Sequence, residues 1–418
     1  MQSRVSTTGQ SRKSIVFGVL YLALAVFILV LLPRGTSGLN STFDLSSQRG
    51  GVTIAAPELA IPTALALYIL GALVALAGVW QLVMGDRYIN LVLVLVAAVG
   101  VTAFLVWATR DAYLNFTGML VSSLVRATPI ALAALSGIYS ERSGVVNIGI
   151  EGMMLGGAFV SVVSASISGS MFVGVLAGIL CGMLLAWLHG VLSIRFRVDQ
   201  IVSGTGIIIL MLGLTSYLQR AVLNVNRELN QPGPPIPALA VPGLWKIPVI
   251  GPLFFRQSPI IYAMIVLLVV THILMYRTKW GLRIRAVGEH PRAADTLGIN
   301  VFKTRYISVL LSGAVAGLAG AYMSIGVVGR FNEGMSAGKG FLGLAAMIFG
   351  NWNPAGAFLG SLVFGFFDSW QEKLAILQVG VANELLGMAP YLATMIVLAG
   401  VIGRARMPAA DGQPYEKQ

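Results

Sequence analysis

Long apolar segments constrain the fold of this chain more than any other feature. A helix needs about 20 apolar residues to cross the hydrocarbon core of a bilayer. The 418 residues are 56% hydrophobic and only 11% charged, whereas a soluble domain carries about 25% charged residues. The sequence therefore predicts an all-α polytopic membrane protein with about ten transmembrane helices, near residues 15–33, 59–84, 89–108, 119–139, 148–168, 172–193, 201–222, 258–276, 304–327 and 387–403.

The distribution of basic residues predicts the orientation. The net charge is +12, and such an excess often indicates nucleic-acid binding, but cytoplasmic loops of membrane proteins also accumulate Lys and Arg. With a cytoplasmic N-terminus, ten spans return the C-terminus to the cytoplasm, and the inner segments hold 17 Lys and Arg against 10 in the outer ones. We therefore expect contact with membrane lipid, no nucleic-acid partner, and three regions: an N-terminal extension of three spans (1–110), a core (111–404) and a cytoplasmic tail (405–418).

The apolar stretch from Phe341 to Trp370 does not fit a simple count of spans, because the residues from Gly350 to Pro354 interrupt it. Each half is short for a full span, so the sequence predicts two half-helices that enter and leave from the outer side as a re-entrant hairpin. Irregular backbone at membrane depth persists only where protein or a water-filled path covers it. Asn351 and Asn353 are therefore candidates for lining a pathway.

A second polar stretch, SERSGVVNIGIEGMMLGGA from Ser140 to Ala158, carries five glycines around an asparagine and a glutamate. Glycine-rich polar sequence at a span boundary predicts an unwound helix, and in transporters such breaks expose backbone groups where solute binds. With the hairpin, this gives a predicted substrate pathway of Asn147, Gly149, Glu151, Gly152, Asn351 and Asn353.

Arg126 and Glu151 are the ionisable residues predicted to lie at membrane depth, where a charge needs a partner or a cavity. One hypothesis is that they pair. The alternatives are that Arg126 extends to the outer headgroups and that free backbone N–H groups at a helix start satisfy Glu151.

The segment from Tyr276 to Arg305 is basic, with seven Lys and Arg residues. Pro291 suits the first turn of a helix and Gly298 suits its end. Between them Ala293, Ala294, Leu297 and Ile299 form an apolar patch that Arg283, Arg285 and Arg292 surround, the pattern of a protein contact site. The alternative is a basic loop at anionic headgroups, but that alternative gives the short helix no purpose.

Several other patterns limit the chemistry. Cys181 is the single cysteine, and His189, His272 and His290 share no ligand spacing, so we expect no metal site, no cofactor and no catalytic residue. Loop 223–257 is proline-rich, and a lid over the outer mouth and a plain connector remain equally open. Glycines four apart at 174, 178 and 182 and at 313 and 317 predict close helix packing, either internal or between subunits.

Two segments also resemble a known family. EHPRAADTLGIN, residues 289–300, resembles the coupling helix of permease subunits of ATP-binding-cassette (ABC) importers of the ribose, branched-chain amino-acid and nucleoside type. SERSGVVNIGIEGMML resembles the signature of the nucleoside (basic-membrane-protein-associated) branch. The resemblance covers roughly Met119 to Arg404 and includes the hairpin, but the first three spans are a departure from it.

The resemblance implies a permease subunit without enzymatic activity, in the bacterial plasma (inner) membrane. Its implied partners are a second, different permease chain, two ATPase subunits and an extracytoplasmic binding lipoprotein that delivers nucleosides. A simple sugar such as ribose is the alternative substrate, and an ion-coupled secondary transporter using Glu151 is the alternative mechanism. The implied ATPase-coupling residues are Glu289, His290, Pro291, Arg292, Ala293, Ala294, Leu297 and Gly298.

Overall fold

A computed structural model describes residues 12–49, 52–379, 382–388, 391–392 and 406–417. The helices within these residues are α1 Arg12–Val26, α2 Thr63–Met84, α3 Ile89–Ala108, α4 Phe116–Glu141, α5 Ile150–Ser168, α6 Met171–Gly190, α7 Gln200–Leu218, α8 Pro259–Arg277, α9 Lys279–Glu289, α10 Pro291–Thr296, α11 Val301–Ala321, α12 Lys339–Phe349, α13 Pro354–Ile376 and α14 Asn383–Gly387. The strands are β1 Asn40–Asp44, β2 Ser47–Arg49, β3 Val52–Ile54, β4 Glu58–Pro62, β5 Tyr113–Asn115, β6 Leu239–Ala240 and β7 Arg256–Gln257.

Nine helices in the described residues are long and apolar enough to cross a membrane. They correspond to the first nine predicted spans, so the predicted helical membrane architecture is confirmed. Several are extended by a π-helical turn, as where α11 continues to Val328. The tenth predicted span, 387–403, lies largely outside the described residues.

The chain divides into two compact units, and unit 1 comprises residues 1–120, 246–252 and 369–403. Here α1 and α2 pack closely, because Gly78 of α2 lies against Leu22 of α1. Strand β1 pairs antiparallel with β4 and parallel with β5 in a three-stranded sheet. The Ser41 hydroxyl donates to the Val106 carbonyl at 2.7 Å and so fastens β1 to α3. These strands were not predicted from the sequence.

Unit 2 comprises residues 121–245, 253–368 and 404–418, and α5, α6 and α11 pack together at its centre. A Cβ atom at Gly182 of α6 would lie 2.2 Å from the Gly313 carbonyl oxygen of α11. Likewise, a Cβ atom at Gly317 would lie 2.2 Å from the Gly178 carbonyl oxygen. Only glycine permits this backbone approach, so the predicted glycine spacing serves packing within the chain.

The short helices of the basic segment lie at the end of unit 2 where α4 ends. Gly288 of α9 lies against the Arg142 backbone that follows α4, and the Arg305 guanidinium of α11 lies against Gly144. We call this region the α10 end and define it by residues 141–144, 279–305, 350–353 and 406–417. Residues 277–290 were predicted to be loop, but residues Lys279–Glu289 form α9. Its buried face follows helical spacing, with Gly281, Ile284, Val287 and Gly288, and this spacing was readable in the sequence.

Candidate functional site

The connection between α4 and α5 is the predicted unwound stretch, and the structure confines it to residues 142–149. Gly144 has a φ of 85°, a conformation that favours glycine. Asn147 is fully buried and donates from Nδ2 to the Ser312 hydroxyl of α11 at 3.0 Å. The Val146 carbonyl lies 2.9 Å from His189 Nε2 of α6, and the Val146 N–H donates to Gln200 Oε1 at 2.6 Å. Side chains of three helices therefore hold the irregular backbone.

Glu151 lies in the first turn of α5 and is only 5% exposed. Its Oε1 accepts from the Gly338 N–H at 2.8 Å, and its Oε2 accepts from the Gly340 N–H at 2.6 Å. Both N–H groups belong to the start of α12, where backbone donors lack helical partners and the helix dipole is positive. Backbone N–H groups thus satisfy Glu151, as one alternative predicted, but they come from a helix 187 residues away.

The sequence left open whether Arg126 pairs with Glu151, and the structure gives Arg126 a different acidic partner. Arg126 Nη1 lies 3.1 Å from Asp368 Oδ2 of α13, so Arg126 has an acidic partner on another helix. Both side chains are about one-third exposed, at 32% and 37%.

The hairpin differs from the prediction in its second half. Helix α12 has 11 residues, but α13 has 23 and is therefore too long to be a half-helix. The prediction of two short half-helices was therefore right for α12 and wrong for α13. The residues from Gly350 to Pro354 were predicted to be the middle of a re-entrant hairpin, but they lie at a turn between two helices of unequal length.

Contacts with α4 fix the direction of α12. Gly343 lies against Ala133, and Gly137 lies against Met347. Arg142 donates to the Trp352 carbonyl at 3.1 Å, so the turn after α12 reaches the end of α4. Since the 11 residues of α12 span about 16 Å, α12 begins well inside the helical bundle. Because Glu151 contacts that start, α5 begins at a similar depth.

The turn between α12 and α13 is tightly held. Asn351 and Trp352 have φ angles of 53° and 52°. The indole N–H of Trp352 donates to Glu141 Oε2 at 2.7 Å, and Trp352 is 4% exposed. Asn353 Oδ1 accepts from the Ala355 N–H at 3.0 Å and so caps α13. Asn351 Oδ1 accepts from the Arg406 N–H at 2.8 Å.

The six predicted pathway residues therefore form two groups. Asn147, Gly149, Glu151 and Gly152 lie where α5 and α12 begin, and Asn351 and Asn353 lie beyond the other end of α12. Eleven helical residues separate the groups, a length of about 16 Å. The structure does not bring them together into one binding site, and their role in a pathway stays a prediction.

Helix α10 begins at Pro291, and Gly298 follows it with a φ of 79°, as the sequence predicted. The predicted apolar patch needs correction, because Ala294 is 2% exposed and packs inward. Ala293 and Leu297 remain on the exposed face, and Leu297 is 81% exposed. Arg285 is also displaced from the predicted rim, since its guanidinium lies over the Tyr276 ring at 5.1 Å.

Sequence reasoning missed three buried charged residues at the α10 end: Glu141, Arg305 and Asp411, which are 6%, 1% and 6% exposed. Arg305 was counted among the loop cations, but it lies in α11. A signal for Glu141 was its place at the end of an apolar span. Among the described residues, no group of three or more His, Cys, Asp and Glu side chains is placed to hold a metal ion.

Comparison with known proteins identifies the family. Residues 119–403 match the family described as branched-chain amino acid transport system / permease component. The chain belongs to this permease family. It is therefore a multi-pass membrane protein and a transport component rather than an enzyme.

The permease has several similar relatives. The guanosine ABC transporter permease protein NupQ of Bacillus subtilis is 41% identical over 71% of this chain and 95% of its own length. The nucleoside ABC transporter permease protein NupC of Lactococcus lactis is 41% identical over 72% and 96%. The putative glucose ABC transporter permease protein TsgC13 of Haloferax volcanii is 33% identical over 72% and 98%. No solved structure gives a significant match.

Proposed function

We propose that this permease is the transmembrane subunit of an ATP-driven importer that translocates purine or pyrimidine nucleosides. An extracytoplasmic binding lipoprotein delivers the nucleoside, and two ATPase subunits supply the energy. A second, different permease chain completes the pore. The names of the two relatives at 41% identity support the nucleoside class. The relative at 33% identity, whose name says glucose, supports a sugar as the second candidate.

The observation that carries the coupling part of this proposal is the exposed face of α10. Ala293 and Leu297 lie one helical turn apart, so their side chains share a face. Leu297 is 81% exposed, and Arg292, which precedes Ala293 in the chain, is exposed as well. The opposite face of α10 is packed against the protein through Ala294. A helix fixed on one side with a leucine free on the other is suited to a groove in a partner protein.

The two helix starts inside the bundle support a pathway at this depth. Helices α5 and α12 both begin there, and Glu151 joins them. Transporters often bind solute where discontinuous helices begin near the midplane. We propose that Asn147, Gly149, Glu151 and Gly152 shape this part of the path, and that Asn351 and Asn353 belong to the turn that moves with the α10 end.

The orientation follows from the proposed coupling. If α10 contacts cytoplasmic ATPases, then the N-terminus and residues 405–418 lie in the cytoplasm and loop 223–257 lies outside. The membrane is the bacterial plasma (inner) membrane. Glu151 as an ion carrier is less favoured, because both of its carboxylate oxygens already accept hydrogen bonds from α12.

The double substitution Arg292→Glu with Leu297→Asp tests the proposal. Removing an apolar anchor and reversing an exposed charge on the same short helix should reduce ATPase capture by the purified permease about ten-fold or more. Uptake of radiolabelled nucleoside in cells should fall in parallel. The control is Leu239→Asp, since Leu239 is also an exposed leucine, at 54%, but lies in the loop proposed to be outside.

Two results would contradict the proposal. Uptake that survives the double substitution and collapses with an uncoupler would indicate ion-coupled transport. Loss of uptake in the double variant would instead indicate a sugar permease if, in the wild type, excess unlabelled glucose or ribose reduces uptake and excess unlabelled nucleoside does not.

A further inference from the structure

Residues 406–417 follow a fixed path across the α10 end. Their backbone forms hydrogen bonds with α9, with the turn after α12 and with α11. These bonds run from the Ala410 N–H to the Gly288 carbonyl at 2.9 Å, from the Arg406 N–H to Asn351 Oδ1 at 2.8 Å, and from Arg305 Nη1 to the Gln413 carbonyl at 3.0 Å. We call residues 406–417 the C-terminal strap. It is therefore bound to α9 and α11, the two helices that precede and follow α10 in the chain, and to the turn after α12.

The strap also covers the inner face of α10. Tyr415 is 5% exposed and belongs to one apolar cluster with Val287 of α9, Ala294 of α10 and Val301 of α11. Its ring lies 5.4 Å from the Phe302 ring. Ala294 is thus buried because α9, α11 and the strap enclose it. Without Tyr415, α10 would lose one wall of the pocket that holds it.

Charged groups are buried under the strap. Asp411 is 6% exposed, and Glu141 of α4 and Arg305 of α11 face it. Two carboxyl groups and one guanidinium balance in charge only when one carboxyl holds a proton. Burial raises the pKa of Asp411 to about 7, although the neighbouring Glu141 carboxyl, the Gly412 backbone and the charge of Arg305 act to lower it. Other ionisable groups along the strap include Glu289, which accepts from the Ala409 N–H, Tyr415, which Asp295 and Arg292 of α10 face, and the exposed pair of Arg197 and Glu416.

We propose that the C-terminal strap fastens α10 to the transmembrane helices, with Tyr415 and Asp411 as its positioning residues. This inference rests on the proposed function, because a fastened α10 matters only if a partner pushes on it. The strap makes α10, α11 and the turn after α12 move together. Releasing the strap therefore leaves ATPase binding to α10 possible while weakening the transfer of its motion to the pore.

A cross-link measures whether the strap is docked. In a Cys181→Ser background, Glu289→Cys with Ala409→Cys places two thiols where a side chain and a backbone N–H now meet at 3.3 Å. We expect rapid disulfide formation in the full-length permease and about ten-fold slower formation when Tyr415→Ala is added. The control is Lys417→Ala, which alters an exposed strap residue and should leave the rate unchanged.

The functional measurement uses the complete reconstituted transporter. Tyr415→Ala should lower the nucleoside carried per ATP hydrolysed by about five-fold or more, with ATPase capture kept. If wild-type permease captures no ATPase, the proposed function fails whatever the cross-link shows. If wild type captures and transports, but Tyr415→Ala changes neither cross-linking nor coupling, the strap proposal alone is wrong.

The pH dependence of cross-linking provides a second test, with the variant Asp411→Asn. A purely structural role of Asp411 would not make cross-linking depend on pH. The pKa of Asp411 is higher when the strap is docked than when it is released. Protonation of Asp411 therefore stabilises docking fully at pH values below the pKa of the released strap, and this stabilisation is lost as the pH rises to the pKa of the docked strap. Cross-linking corrected for thiol ionisation should therefore weaken several-fold from pH 6 to 7.5, at most ten-fold per unit. Asp411→Asn should remain docked and abolish this change. A pH profile unaltered by Asp411→Asn would overturn the role of Asp411.

Discussion

At the scale of single residues, Glu151 shows how a charge is kept inside a membrane protein. A carboxylate at bilayer depth is costly unless it faces a partner or water. Here two backbone N–H groups at the start of α12 act as the partner, at 2.8 and 2.6 Å. Charge-assisted hydrogen bonds of this kind are about twice as strong as neutral ones. One side chain therefore joins the starts of α5 and α12.

Glu151→Gln tests this junction. The glutamine places an NH₂ group where a backbone N–H also donates, so one bond is lost and the charge is removed. We expect a loss of about 1–3 kcal/mol in stability, measured by thermal unfolding in nanodiscs, and reduced uptake.

Glu333→Gln is the matched control, because Glu333 pairs with Arg220 at the surface, where the side chains are 42% and 73% exposed. Exposed ion pairs contribute about 0–1 kcal/mol, so this variant should behave like wild type. Equal effects of the two substitutions would contradict a special role for Glu151.

Gly340→Ala tests the same junction from the α12 side. A Cβ atom there would lie 2.8 Å from the Glu151 backbone and 2.6 Å from Oε2, closer than real Cβ contacts. We expect overpacking to cost about 1–3 kcal/mol, seen as a lower unfolding temperature and lower uptake.

Gly206→Ala in α7 is the control for Gly340→Ala, because nothing lies within 4 Å of its Cβ position. A helical Gly→Ala change in open space is neutral or stabilising by about 0.5–1 kcal/mol. Loss of stability in both variants would point to a general intolerance of glycine replacement instead.

At the scale of secondary-structure elements, local patterns predicted what depends on local physics. Helix length follows from apolar length, and Pro291 and Gly298 marked the two ends of α10 correctly. Contacts between distant segments were not predictable in this way. Nothing near Asp368 in the sequence indicates Arg126, and nothing near Gly338 indicates Glu151. Strand β1 was missed because its partners β4 and β5 lie elsewhere in the chain and its own residues, NSTFD, show little apolar alternation.

The turn between α12 and α13 makes a prediction at this scale. Trp352→Phe keeps the buried ring but removes the N–H that donates to Glu141 at 2.7 Å. The carboxylate loses a buried partner, which costs about 1–3 kcal/mol and should loosen the turn. Hydrogen exchange of the backbone at residues 350–353 should therefore accelerate, while exchange in α2 of unit 1 stays unchanged. Uniform acceleration in both regions would instead mean global destabilisation.

At the scale of the whole molecule, the chain is larger than its family requires. The family match begins at residue 119. The two relatives at 41% identity match over 95% and 96% of their own length, but over only 71% and 72% of this chain. Helices α1, α2 and α3 lie outside the match and have their own packing and sheet in unit 1. The division into an extension (1–110), a core (111–404) and a tail (405–418) remains a proposal. The tail contributes to the core of unit 2, which its polar composition did not indicate.

The proposed orientation is tested by thiol accessibility. In a Cys181→Ser background, Leu239→Cys and Leu297→Cys place single thiols at sites that are 54% and 81% exposed. A membrane-impermeant maleimide should label the first in intact cells and the second only after permeabilisation, because the proposed orientation places the two sites on opposite faces of the membrane. Labelling of the Leu297 site in intact cells would reverse the orientation and remove the basis for ATPase coupling.

The backbone contact between α6 and α11 has a mechanical consequence. Two helices in contact through side chains can shift relative to each other when the side chains change rotamer. Main chains separated only by glycine hydrogens cannot shift in this way. Helix α11 starts four residues after Leu297 and runs for 21 residues, about 32 Å. It packs against both α5 and α6. A tilt imposed at the N-terminus of α11 would therefore move α5, α6 and α11 as one rigid body. The hinges of such a motion must lie in the irregular segments on either side of these helices.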